Sequence, residues 1–228
     1  DGWRLVRPVP GIGLPTTVQA VYAAQLDELP PGPRSLVRRA SVAGRQFALE
    51  AVATLDGGCV DDVDALARRG IVHGPVSDPL LGRSFVFRHA LLRDAGYASL
   101  ARGERARLHV RMARWLEGRS EARADGLAAV TGRHYAAALE STPLLAVDVG
   151  DGLSRDEAAD RAAHWFERAA EADLRLGAND SARALFARAL ELTPPTASLE
   201  RGSRLLGLAR ATAFTSDSSF SQRAIGRM

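Results

Sequence analysis

The stretch Phe85-Val86-Phe87-Arg88-His89-Ala90-Leu91-Leu92-Arg93-Asp94-Ala95-Gly96-Tyr97 changes its period halfway along. Its start alternates. Phe85 and Phe87 share one face, Ser84 and Val86 the other, which predicts a short strand. Its end is helical, with Leu91, Leu92, Ala95, Ala98 and Ser99 at helix spacing. Arg88 and His89 therefore fall at a strand-to-helix corner. The first N–H groups of a helix lack internal partners, and the dipole there favours anions. Two cation-capable side chains at that corner read as a phosphate contact. On the corner alone, a solvated Arg88 and a His89 that caps or packs locally is the favoured reading.

Upstream of the corner, Ile71-Val72-His73 predicts a strand, residues 74–83 a turn, and Ser84 to Phe87 the partner strand. A first helix is capped by Thr16 or Thr17 and carries Val18, Val21, Tyr22, Leu26 and Leu29 on one face. Pro30-Pro31 ends it. A second helix spans about 33–42 and closes at Gly44. A third covers 47–55, Asp56-Gly57-Gly58 turns the chain, and a fourth covers 60–69 up to Gly70. Three short helices before a two-stranded hairpin form a winged-helix pattern. The expected core includes Leu26, Leu36, Phe47, Leu66, Phe85, Phe87, Leu91, Leu108 and Trp115. Residues 1–15 read as a linker, with a short strand at Trp3 to Val6 and then Pro and Gly breaks.

Downstream, Gly103 is expected to break the chain before a helix over 104–116. Arg107, Arg111 and Arg114 lie opposite its apolar face, solvated or in contact with phosphate. A charged link over 118–124 precedes a helix over 127–139, and residues 141–153 read as loop. Ser154 with Glu157 is a capping box, opening a helix to about Leu176. Gly177 closes it, and the next helix runs from Asn179 to Pro194. Ala182, Phe186, Ala189 and Pro194 match the second half of a tetratricopeptide unit, although Asp173 and Ala169-Ala170 depart from its first half. Leu199 to Phe214 would open another unit. Such a stack needs neighbours to cover its apolar faces, so the chain reads as a truncated piece of a longer protein.

The Phe-Arg-His-Ala-Leu run, with Asp94 and Tyr97 after it, resembles the winged-helix segment of STAND-type signalling ATPases. It is similar in particular to large bacterial regulators that join a nucleotide-cyclase or DNA-binding domain to an ATPase and helical repeats. Residues 14–20 and 25–30 resemble the helix leaving the ATPase core, 40–47 the next helix and turn, and 182–194 a repeat helix. The resemblance implies a mainly helical, all-α chain in three parts. Residues 1–15 would link to an upstream NTPase core, 16–117 would form a winged-helix arm, and 118–228 TPR-like repeats. In that family the winged-helix histidine reads nucleotide phosphates from outside the ATPase core, and His89 is the matching position, with Arg88 beside it. ATP or ADP would be bound by the longer protein, with no cofactor held by this chain alone.

Composition bounds the alternatives. The 228 residues are 46% apolar and 25% charged, as in globular proteins. All 30 basic residues are arginine. That bias, with a net charge of only +3, points to a GC-rich coding sequence more than to a polyanion partner. Without lysine there is no phosphate-binding loop and no Schiff-base chemistry. No Gly-x-Ser-x-Gly elbow or His-Glu-x-x-His pair occurs, and His109, His134 and His164 fall on separate helices. Cys59, the single cysteine, reads as a small buried residue. No membrane span or signal peptide is expected, so a cytoplasmic location is the default.

These features favour a non-enzymatic arm of a nucleotide-gated switch, coupled in cis to the NTPase core and taking a protein or small-molecule ligand on its repeats. A DNA-reading winged helix is the alternative. Arg68 and Arg69 would face phosphates there, with Arg107, Arg111 and Arg114 as further contacts, but Asp61, Asp62 and Asp64 would repel them. A plain helical scaffold is the third reading.

Overall fold

The computed structural model describes residues 17–55, 62–123, 125–144 and 146–225. The expected linker over 1–15, the turn at 56–58, Asp61 and Cys59 lie outside these residues. The fold is mainly helical, with two small antiparallel sheets among the described residues.

Helix α1 (Val18–Asp27) starts at Thr17, whose hydroxyl accepts the Ala20 N–H at 3.2 Å. Helix α2 (Pro31–Ala43) opens on proline, where a missing N–H costs nothing, and stops at Gly44 with φ +126°. Then follow β1 (Gln46–Ala48), α3 (Leu49–Thr54), α4 (Asp62–Arg68), β2 (Val72–Asp78), β3 (Gly82–Phe87) and α5 (Ala90–Ala98). The sheet order is β1-β3-β2, with Phe47 opposite Phe85 and Val72 opposite Phe87.

Strand β1 corrects two expectations: a helix starting at 47 and a sheet of only two strands. The Phe47 ring lies 6.1 Å from Phe85 and 5.4 Å from Phe87, centroid to centroid. Pairing with β3 holds this segment extended, a constraint its own three residues do not announce. Leu26, Leu36, Phe47, Leu66, Phe85 and Phe87 are buried together. Leu91 is half-buried instead, because α5 turns Leu92 and Gly96 inward. A Cβ on Gly96 would stand 3.0 Å from Val37 Cγ1, so α5 and α2 need glycine at that crossing.

Helix α6 (Arg102–Arg123) is continuous where a break at Gly103 and a link over 118–124 were expected. Gly103 sits in its first turn, where residues form few intrahelical bonds and glycine weakens little. The division at 117/118 thus falls inside α6. Leu108, Met112 and Leu116 pack in one cluster with Val42, Ala51, Leu55, Leu100 and Leu127. Trp115 is half-buried, its ring covered by the Arg119 guanidinium at 4.5 Å.

A 3-10 turn (Asp125–Leu127) leads into α7 (Ala128–Ser141). The segment expected as loop contains a short hairpin, β4 (Asp148–Gly150) and β5 (Leu153–Ser154). Helices α8 (Arg155–Arg175), α9 (Asn179–Leu192) and α10 (Ser198–Ile225) follow. The expected capping box is present: Ser154 Oγ accepts the Glu157 N–H at 3.2 Å, and Glu157 Oε2 accepts the Ser154 N–H at 3.0 Å. From α6 to α10 each helix packs on the next. Ala158, Ala162, Ala163, Ala169 and Ala170 let α8 approach closely around Tyr135, Trp165 and Phe166. No helix among the described residues is long and apolar enough to cross a membrane.

Candidate functional site

His89 is the N-cap residue of α5, with extended backbone (φ −124°, ψ 136°) and no side-chain capping bond. The preceding strand fixes the corner, since Phe87 N–H donates to Arg45 O at 2.9 Å and Arg88 N–H to Ile71 O at 2.9 Å. Both Arg88 and His89 side chains are exposed. The His89 ring lies 5.9 Å from the Tyr22 ring of α1, which limits its sweep. The corner therefore presents a cation and an imidazole beside the free N–H groups of a nine-residue helix. Arg68 and Arg69, at the end of α4, are exposed as well.

Arg111 and Arg114 are engaged within the chain. Arg111 grips Asp151 through two bonds, Nε to Oδ2 at 2.6 Å and Nη2 to Oδ1 at 3.1 Å. Its Nη1 donates to Leu55 O at 2.7 Å. Both Nη atoms of Arg114 reach Asp151 O at 3.4 Å. Asp151 adopts φ +51°, a left-handed turn that aspartate tolerates better than most residues. The Arg111 hydrogen bonds hold its carboxyl below the ordinary value, against burial, with the charges of Arg111, Arg114 and Arg107 adding. Arg107 is half-buried, and a Cβ on Gly150 would meet its Cα at 2.8 Å, so backbone approach requires glycine there.

A cluster that spacing does not reveal lies where α5, α6 and α7 meet. The Nδ1 atoms of His109 and His134 are 2.8 Å apart, and the Tyr97 hydroxyl is 2.9 Å from His109 Nε2. One imidazole must donate to the other, which fixes complementary tautomers along the chain of three. Burial, then the charges of Arg93 and Arg105, push His109 down to about 4. Burial, with His109 and Arg133 behind it, pushes His134 down strongly too. Both rings are therefore neutral near pH 7. Arg93 and Arg105 also sit over the Tyr97 ring at 5.0 and 4.8 Å. Among the described residues, no three His, Cys, Asp or Glu side chains converge as a metal ion would require.

The repeat half carries a groove of about 650 Å³ between α8, α9 and α10, walled by Ala159, Leu192 and Pro195 and rimmed by Asp156, Asp160 and Glu200. Comparison with protein-family models, with curated proteins and with solved structures returned no match.

Proposed function

We propose that this chain is the non-catalytic regulatory arm of a nucleotide-gated signalling switch. A cytoplasmic NTPase core supplied in cis would bind ATP or ADP, and His89, with Arg88, would contact the phosphates in the closed state. The observation that carries this reading is the corner itself: an exposed imidazole, unbonded, at the N-terminus of α5. The helix–strand–helix–helix–hairpin order, with β3 central, supports the winged-helix assignment of residues 16–117. The sequential packing of α7 to α10 supports TPR-like repeats, and the groove between α8, α9 and α10 is where their ligand would lie. Contacts made only in the closed state would hold that state until exchange or a ligand releases it.

The test is nucleotide retention by the longer protein. His89→Ala removes one hydrogen bond to a charged group, so closed-state affinity should fall about ten- to a hundredfold. The same variant should change the stability of this chain by no more than about 0.5 kcal/mol, since the residue is exposed. Unchanged retention would dismiss the switch reading. Sub-micromolar, sequence-selective duplex binding by this chain would favour the DNA reader instead.

A further inference from the structure

The backbone bonds that build the corner also gather charge from two other places in the chain. Arg45 precedes β1, and its carbonyl holds Phe87, the last residue of β3. Arg88 follows β3, and its N–H is bonded to Ile71, two residues after Arg69. The guanidinium of Arg88 lies over the turn between them, because a Cβ on Gly70 would meet its Nη1 at 3.0 Å. His89 is next in sequence and starts α5. Arg45, Arg69, Arg88 and His89 therefore stand around one end of one small sheet. All four are exposed, and none has a side-chain hydrogen bond or an ion pair among the described residues. Arg68, also exposed, adjoins them.

We infer that this pole is a binding site for a compact oligophosphate, two or three linked phosphate groups, with Arg45 and Arg69 as ligands in addition to Arg88 and His89. The inference deepens the nucleotide contact proposed above and rests on it for the chemistry of the ligand. Guanidinium groups match phosphate in charge and in planar, two-point geometry. The helix N-terminus adds N–H donors and a positive dipole end to the same place. Placement around one end of a sheet only three strands wide, about 10 Å across, favours a short anion over a duplex. A duplex would need charge spread along an element, whereas α4 begins with Asp62 and Asp64. At the far end of β3, about 13 Å of strand from Phe87, Arg83 stands opposite Ser77 of β2.

The full chain is titrated by calorimetry with inorganic pyrophosphate, with ADP and with sulfate at two salt concentrations. Pyrophosphate should bind one to one, more tightly than sulfate, and more weakly at higher salt. Arg45→Gln and Arg69→Gln should each weaken it about tenfold. Arg83→Gln should leave it unchanged. ADP binding tighter than pyrophosphate would identify a nucleotide as the source, and equal binding a bare oligophosphate; both support the site. Pyrophosphate binding no better than sulfate would overturn it, as would equal losses in Arg83→Gln and Arg69→Gln. A DNA duplex that displaces pyrophosphate would overturn it in favour of a nucleic-acid surface. If this chain binds no oligophosphate while His89→Ala still releases nucleotide from the longer protein, this site fails and the switch reading stands. Binding here with unchanged retention would sink the switch reading and keep the site.

Discussion

Around the end of the three-stranded sheet, Arg45, Arg69 and Arg88 are exposed and unpaired among the described residues. From α6 onward many of the arginines are tied to named acceptors. Arg111 holds Asp151, Arg155 donates to the carbonyls of Thr142 and Pro143, Arg161 pairs with Glu117, and Arg201 donates to Thr193 O. Arg204 is buried against Glu167. One residue type thus serves as internal fastening in one region and as surface charge in the other. Composition cannot separate the two roles. What separates them is whether a partner stands within reach.

The largest expected effect breaks a fastening. The Arg204 side chain is only 4% exposed and donates to Glu167 Oε2 at 2.9 Å. Glu167→Ala leaves that charge buried without its carboxylate, at a cost of about 3–5 kcal/mol. The paired change Glu167→Leu with Arg204→Met should recover most of it. Urea midpoints measure both, and a single-variant loss below about 1 kcal/mol would show that water reaches Arg204.

Next comes pH. A histidine whose pKa is depressed on folding is protonated first in the unfolded chain. Stability present above the unfolded value of 6.5 is therefore lost as pH falls toward the folded value of about 4 for His109. The shift corresponds to about 3 kcal/mol for His109, and His134 adds in the same direction. Carboxylates titrate in the same window, so the contrast is between the native chain and His109→Gln with His134→Gln. The double variant should lose less stability between pH 7 and 4. Identical slopes would mean that the two rings are already solvated or protonated in the folded state.

A smaller effect is expected at the Arg111–Asp151 clamp, whose side chains are 29% and 23% exposed. Asp151→Asn keeps a residue that tolerates the left-handed turn but removes the charge. The expected loss is about 1 kcal/mol, smaller still in high salt. Last is Arg69→Gln at the pole, which should shift stability by less than about 0.5 kcal/mol. A large loss there would turn surface charge into fastening and erase the contrast between the two regions.

Features whose causes are local were readable in the sequence. The capping box at Ser154 and Glu157, the stop at Gly177 and the strand-to-helix corner at Arg88 each follow from residues within a few positions. Strand β1 was not readable, because three residues carry too little alternation and its partner lies almost forty positions later. The hairpin at 148–154 was hidden by its glycines, which signal a loop until Arg107 is known to press against Gly150. His109 and His134 are 25 positions apart and meet only because α6 packs on α7. The corner residues of the candidate site were visible for the same local reason. Arg45 and Arg69 join them through sheet pairing, which the sequence does not display.

Helix α6 packs with Val42, Ala51 and Leu55 and continues past the proposed division at 117/118 to Arg123. Its 22 residues make a rod about 33 Å long. A tilt of about 5° at one end carries the other end about 3 Å, close to the rise of two residues. The α2–α3 layer on one side and α7 on the other are therefore packed on one continuous helix. A tilt imposed where α2 and α3 rest on it would move the surface on which α7 packs.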